Sequence, residues 1–125
     1  MTRAIVLFAH GARDPRWAEP FEAVAARVRA AAPDCRVALA FLELRAPTLG
    51  DAAGGLVGAG ATRIDVVPLF LGTGAHLRQD LPPLVDTLRA AHPAVDFHLH
   101  AAIGEHAVVV EAMAAAAVAA AGFPE

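Results

Sequence analysis

Two rhythms of apolar and polar positions alternate along the chain. Nearly unbroken apolar runs at 4–9, 36–43, 63–71 and 94–103 read as short strands buried on both faces. Between them apolar residues recur at helical spacing. Phe21, Val24, Ala25, Val28 and Ala32 form one such stripe over 17–32, behind an Asp14-Pro15 start signal. Pro20 falls in the first turn, where a missing N–H costs little. Thr48 with Asp51 three residues on resembles a capping box, opening a short helix to about Gly58 that Gly54 and Gly55 weaken. Helices over 75–91 and 105–121 complete the series. Pro68 would ordinarily demote a central strand, and near the strand's end it is tolerable.

The resulting βαβαβαβα order predicts one α/β domain over 1–125. Its core is a four-stranded parallel sheet of order 2-1-3-4 with helices on both faces. Ligands of such sheets bind beyond the carboxyl ends of the strands, at the switch point between strands one and three.

Composition narrows the classes. A chain of 125 residues, 57% hydrophobic and 18% charged, buries a core rather than remaining disordered. A net charge of −3 argues against a nucleic-acid partner or an anionic membrane surface. The longest uncharged runs, such as 112–124, are too short to span a bilayer. With no signal-peptide pattern at the start, a cytoplasmic protein is expected. Lys is absent, which removes P-loop and Schiff-base chemistry. Ser is absent, which removes the usual Ser-His-Asp hydrolases. Cys35 stands alone, so no intramolecular disulfide or Cys-held cluster forms. Six His, thirteen acids and ten basic residues, all Arg, remain for chemistry.

His10 follows the first strand and His76 the third, on the two loops that flank the switch point. Two imidazoles there can converge on one ion or one proton. Glu43, at the end of strand two, is either a third ligand, a proton acceptor or a solvated loop acid. Asp80, four residues after His76, either orients that imidazole or serves as a first-turn acid. Arg13, Arg16, Arg45 and Arg78 fall on the same rim and suit a polyanionic ligand. The Gly72-Thr73-Gly74 turn is a weak phosphate signal, with no third Gly. His98 and His100 share a face of strand four and are expected to pack against a helix. His106 reads as a helix N-terminal residue beside Glu105, and His92 lies at the opposite end.

Ala9-His10-Gly11-Ala12-Arg13 resembles the HGSR segment of the sirohydrochlorin chelatases. Val67-Pro68-Leu69-Phe70-Leu71-Gly72-Thr73-Gly74-Ala75-His76 with Asp80-Leu81-Pro82 resembles their second signature. Phe41-Leu42-Glu43 with Pro47, and Ile103-Gly104-Glu105-His106, fit the family at strands two and four. The length is similar to the small single-domain CbiX type, whose larger relatives carry two such halves. Ala12 stands where the family commonly has Ser, which removes a hydroxyl beside the site.

The resemblance implies an ATP-independent class II chelatase. Such an enzyme inserts Co2+ or Fe2+, and in some archaea Ni2+, into sirohydrochlorin for cobalamin or sirohaem biosynthesis. No tightly bound cofactor is implied; the divalent metal is a substrate. His10 and His76 match the metal-handling residues, with Glu43 as a further catalytic candidate. Arg13, Arg45, Arg78, Gly72, Thr73 and Gly74 are then the candidates for binding the tetrapyrrole, and Asp80 supports His76. Two His leave open positions for pyrrole nitrogens, where four firm ligands would trap the metal. Neutral imidazole accepts a pyrrole proton at physiological pH. A homodimer is expected, because the last helix is apolar on every side and a lone sheet edge offers a broad ligand only a shelf.

Two other readings use the same residues. A metal or tetrapyrrole carrier needs the His and Arg but no turnover. A histidine phosphatase wants Arg directly before its His, where this chain has Ala9.

Overall fold

The computed structural model describes residues 2–124. In chain order the elements are β1 (Arg3–Ala9), α1 (Glu19–Ala31), β2 (Arg36–Phe41), α2 (Leu49–Gly58), β3 (Arg63–Pro68), α3 (Ala75–Ala91), β4 (Asp96–Leu99) and α4 (Ala107–Ala120). Short 3-10 turns, Pro15–Ala18 and Ile103–Glu105, precede α1 and α4. The strands form one parallel sheet in the order β2-β1-β3-β4, as the element order predicts.

Strand alternation divides the core. Ala4, Val6 and Phe8 of β1 register with Ile64, Val66 and Pro68 of β3, and all are buried. They pack under Leu49, Ala53 and Leu56 of α2 and Leu81, Val85 and Leu88 of α3. Truncating a side chain such as Phe8 here costs about 3–5 kcal/mol. On the opposite face Ala9, Phe41 and Ala18 form a smaller cluster with Phe21 of α1. The Thr48 hydroxyl accepts the Asp51 N–H at 3.1 Å and caps α2, a contribution of about 1 kcal/mol.

Pro68 ends β3 and also limits its neighbour. The Leu69 N–H donates to the Phe8 carbonyl at 2.7 Å, on the β1 side. Strand alternation therefore turns the missing Pro68 N–H toward β4. The last bond on that side runs from the His100 N–H to the Val66 carbonyl, 3.0 Å. With no donor at Pro68 the β4 ladder stops, so β4 spans Asp96–Leu99 rather than the expected 94–103. The first helix also differs. Asp14 caps a 3-10 turn by accepting the Arg16 N–H at 2.9 Å, and α1 proper starts at Glu19.

The largest departure is α4. α1 covers the β1–β2 half of one sheet face, and the other half of that face carries no helix. α4 has no buried residue and projects from the turn before it. The uncovered half is a cleft of about 570 Å3, whose lining includes Arg3, Ile5, Asp65, Val67 and His100. Among the described residues no helix is long and apolar enough to cross a membrane.

Candidate active site

The loops after β1 and β2 are held together by backbone. The Leu42 N–H donates to the Ala9 carbonyl at 2.8 Å, and the Phe41 N–H to the Pro47 carbonyl at 2.9 Å. Gly11 lies so close to the second loop that a Cβ there would overlap the Glu43 carbonyl. This approach sets Glu43 beside His10, whose Nδ1 is 3.0 Å from the Glu43 Oε1. Both side chains are about half exposed. Leu44, the next residue, holds a left-handed backbone with φ +64, a conformation that costs a side-chain-bearing residue about 1–2 kcal/mol and is kept where a site demands it.

Two further contacts fix His10. Its ring lies against Phe70, centroids 4.5 Å apart. Its carbonyl accepts the Trp17 indole N–H at 2.6 Å. Trp17 in turn tilts against Phe21. Together His10, Trp17, Phe21, Leu69, Phe70 and Leu71 line an apolar shelf of about 450 Å3 at the rim. Leu71 is 72% exposed on it.

A carboxylate only accepts hydrogen bonds, so the His10 Nδ1 carries the proton that Glu43 receives. The lone pair is then on Nε2, the atom free to take a metal ion or a proton. His76 is exposed at the second position of α3. Asp80 is exposed one turn on, and among the described residues no hydrogen bond joins it to His76. Among the described residues no three His, Cys, Asp or Glu side chains are grouped to hold a metal ion.

The rim arginines differ from one another. Arg13 is exposed. Arg16 is paired with Asp14 at 2.9 Å and so is partly neutralised. The Arg78 Nε donates to the Thr73 hydroxyl at 3.4 Å, which ties the Gly72-Thr73-Gly74 loop to α3. Arg45 stacks over Phe41, 5.5 Å from the ring centroid, and its Nε is buried without a partner.

His98 and His100 do not pack against a helix. They pair with acids on the open sheet face, His98 with Asp96 and His100 with Asp65, each at 2.8 Å. The helix expected to cover them is the one that projects away. Asp65 is buried. Burial by itself would raise its pKa, but hydrogen bonds from Arg63, His100 and Arg3 outweigh burial and hold the carboxyl well below the usual carboxylate range. His106 caps α4, its Nδ1 accepting the Val108 N–H at 3.3 Å.

Sequence reasoning gave Trp17 no place in the site, and Gly11, Phe70, Leu71 and Gly104 entered it only within the family segments, with no role of their own. A Cβ on Gly104 would overlap the Leu71 carbonyl, and the Gly104 N–H donates to Phe70 at 2.9 Å. Trp17 carried one readable signal: a lone indole N–H near a rim requires a carbonyl partner.

A sirohydrochlorin cobaltochelatase of Methanosarcina barkeri is 35% identical over 81 residues, covering 65% of this chain and 62% of that protein. One from Saccharolobus solfataricus is 36% identical over 81 residues, with the same coverage. The match thus spans less than two thirds of these curated relatives. A crystal structure of a cobalamin (vitamin B12) biosynthesis CbiX protein from Marinobacter aquaeolei VT8 superposes with TM-score 0.84 and 34% identity, over 95% of this chain and 97% of that one. SirB from Bacillus subtilis with Fe3+ gives TM-score 0.82 and 31% identity, over 99% of this chain and 49% of that one. The family model CbiX matches residues 4–120, a span that takes in His10, Glu43, His76 and the rim arginines, and the chain belongs to the CbiX family.

Proposed function

We propose that this chain inserts a divalent metal ion, Co2+ or Fe2+ with Ni2+ as a further candidate, into sirohydrochlorin without nucleotide hydrolysis, a nitrogen–metal bond-forming lyase activity. The observation that carries the reading is the His10–Glu43 pair standing at the edge of an apolar shelf, with Arg45 in the adjoining loop over Phe41. A tetrapyrrole has a flat apolar body and a periphery of carboxylates, and the shelf and rim match those two parts.

As M2+ enters the macrocycle, two pyrrole N–H protons leave. The His10 Nε2 lone pair accepts one while Glu43, bonded at Nδ1, stabilises the imidazolium that forms. His76, in the first turn of α3, is assigned to delivering the metal and taking the second proton. Phe70 and Trp17 keep the His10 ring and backbone in place. Arg13, Arg45 and Arg78 bind peripheral carboxylates, and the Gly72-Thr73-Gly74 loop leaves the macrocycle room to approach. Asp80, one turn along α3, supports His76.

The reading extends to a cytoplasmic homodimer serving cobalamin or sirohaem biosynthesis. SirB, of which this chain matches about half, supports the dimer by length alone. The test is anaerobic incubation with sirohydrochlorin and Co2+, Fe2+ or Ni2+, following the absorption change against the uncatalysed rate, with and without ATP. Several metallated products per chain, with no need for ATP, are expected. One product per chain at most would reduce the protein to a carrier.

A further inference from the structure

Trp17 is half used by the protein and half left over. It is the chain's one Trp, and it sits in the 3-10 turn Pro15–Ala18. Asp14 caps that turn through the Arg16 N–H, and Ala18 is buried with Ala9 and Phe41. Anchors on both sides of Trp17 thus leave its indole at the rim. The indole N–H donates to the His10 carbonyl at 2.6 Å, and the ring tilts against Phe21. Even so the residue is 41% exposed.

That combination is chemically specific. A Trp at a surface ordinarily buries its apolar body and turns its polar N–H to water. Here the protein takes up the N–H, the side chain's single polar group, and the surface left in solvent is carbon. It borders the shelf of about 450 Å3 together with His10 and Leu71. Water gains no hydrogen bond from such a wall, whereas a flat conjugated ring gains an offset-stacked or edge-to-face contact. Phe70 is buried against the His10 ring, and Phe21 is half-buried against Phe41. Trp17 is therefore the most open aromatic side chain of the shelf.

Its backing continues across the rim. Phe21 meets Phe41 edge-on, with ring centroids 6.3 Å apart, and Phe41 carries the Arg45 guanidinium. The series Trp17–Phe21–Phe41–Arg45 joins the β1 loop to the β2 loop, as the His10–Glu43 bond also does. Packed neighbours of this kind hold a side chain in its working position before any ligand arrives. Because the indole N–H holds the His10 carbonyl, the same side chain fixes His10 relative to whatever lies on the indole.

We propose that Trp17 is a substrate-contacting residue: one pyrrole ring of the tetrapyrrole stacks on its indole, and its N–H bond holds His10 so that Nε2 faces the ring nitrogens. The proposal rests on the tetrapyrrole reading of the proposed function. It adds a contact to that reading and divides the work of one side chain in two. The indole surface serves binding of the macrocycle, and the N–H serves turnover.

The test titrates metal-free sirohydrochlorin into the nitrogen-labelled full chain and follows the indole N–H resonance. With one Trp in the chain there is one such signal, and it belongs to Trp17. Stacking should move it to lower frequency through the ring current of the macrocycle, in step with binding read from the ligand's own absorption. Trp17→Leu, which removes the aromatic surface, should weaken that binding about five- to tenfold. Trp17→Phe, which keeps a ring and loses the donor, should bind within about twofold of wild type. Its kcat should fall about three- to tenfold, the worth of one hydrogen bond. Neither variant should alter the KM for the metal. Binding with an unmoved indole signal, or Trp17→Leu binding as tightly as wild type, would overturn the platform and leave the chelatase reading intact. Trp17→Phe with a wild-type kcat would overturn the role of the N–H bond. A wild-type chain that does not bind sirohydrochlorin would overturn both the platform and the chelatase reading.

Discussion

The His10 Nδ1 and the Glu43 Oε1 lie 3.0 Å apart, across loops that follow two adjacent strands. The pair fixes the tautomer and leaves Nε2 as the only ring atom for chemistry. His10→Ala should therefore lower the insertion rate about 10²–10⁴-fold with the fold retained. Glu43→Gln, which keeps the shape but loses the charge, should cost about 10–100-fold. His98→Ala, whose partner is Asp96 on the open face, should stay near the wild-type rate. His76→Ala should slow the reaction most at limiting metal. Steady-state rates at several metal concentrations check all four, and an unimpaired His10→Ala would remove the pair from the mechanism.

Gly11 makes that pair possible. A Cβ at this position would overlap the Glu43 carbonyl, which is backbone and cannot rotate away. Gly11→Ala should push the two loops apart and cost about 1–3 kcal/mol of stability, the range for overpacking. Activity should fall further than stability, because the His10–Glu43 bond is lost even in molecules that fold. Urea melts beside rates at a temperature where the variant is folded separate the two effects. Equal rates for the variant and wild type would mean the loops adjust without disturbing the pair.

The strand order and the identity of His10 and Glu43 as rim residues were legible in the sequence, because hydrophobic period and right-handed crossovers leave few arrangements. Their bond was not legible, since it depends on a one-atom clearance at Gly11 and on a left-handed backbone at Leu44. The short β4 was obscured because the effect of Pro68 appears on the neighbouring strand, not on its own. The apolar run that suggested a covered α4 was real, yet periodicity says only that a helix wants burial and not which chain supplies it. For the same reason His98 and His100 were expected against a helix and instead meet acids.

The rim arginines should act on the tetrapyrrole rather than the metal. Arg13 and Arg78 are exposed, so each carboxylate contact is worth about 0.2–1 kcal/mol. Their Ala variants should raise the KM for sirohydrochlorin by up to about fivefold and leave the metal dependence unchanged. Arg45 is different, with its Nε buried and unpartnered over Phe41. Arg45→Met, which keeps contact with the ring, should raise KM by about tenfold or more, in line with the larger worth of a buried charged hydrogen bond. Initial rates against each substrate at saturating levels of the other provide the check. A change in metal KM instead would move these residues to the metal step.

Asp65 links the open face to acid stability. Burial opposes its ionisation, but the hydrogen bonds from Arg63, His100 and Arg3 win, and the folded pKa lies below the unfolded one. A depressed acid stabilises the fold above its unfolded pKa of about 3.9, and that stabilisation fades as pH falls below this value toward the folded pKa. At pH 7, Asp65→Asn keeps the side chain's size but removes the charge that faces two guanidinium groups. It should cost about 1–3 kcal/mol, since Arg63 is only partly exposed while Arg3 is well solvated and adds little. Between pH 4 and pH 2 the wild type should lose this advantage and the two urea midpoints should converge. His98→Ala, which leaves Asp65 untouched, should follow the wild-type pH curve. Parallel curves for wild type and Asp65→Asn down to pH 2 would show that the carboxylate is not what those hydrogen bonds stabilise.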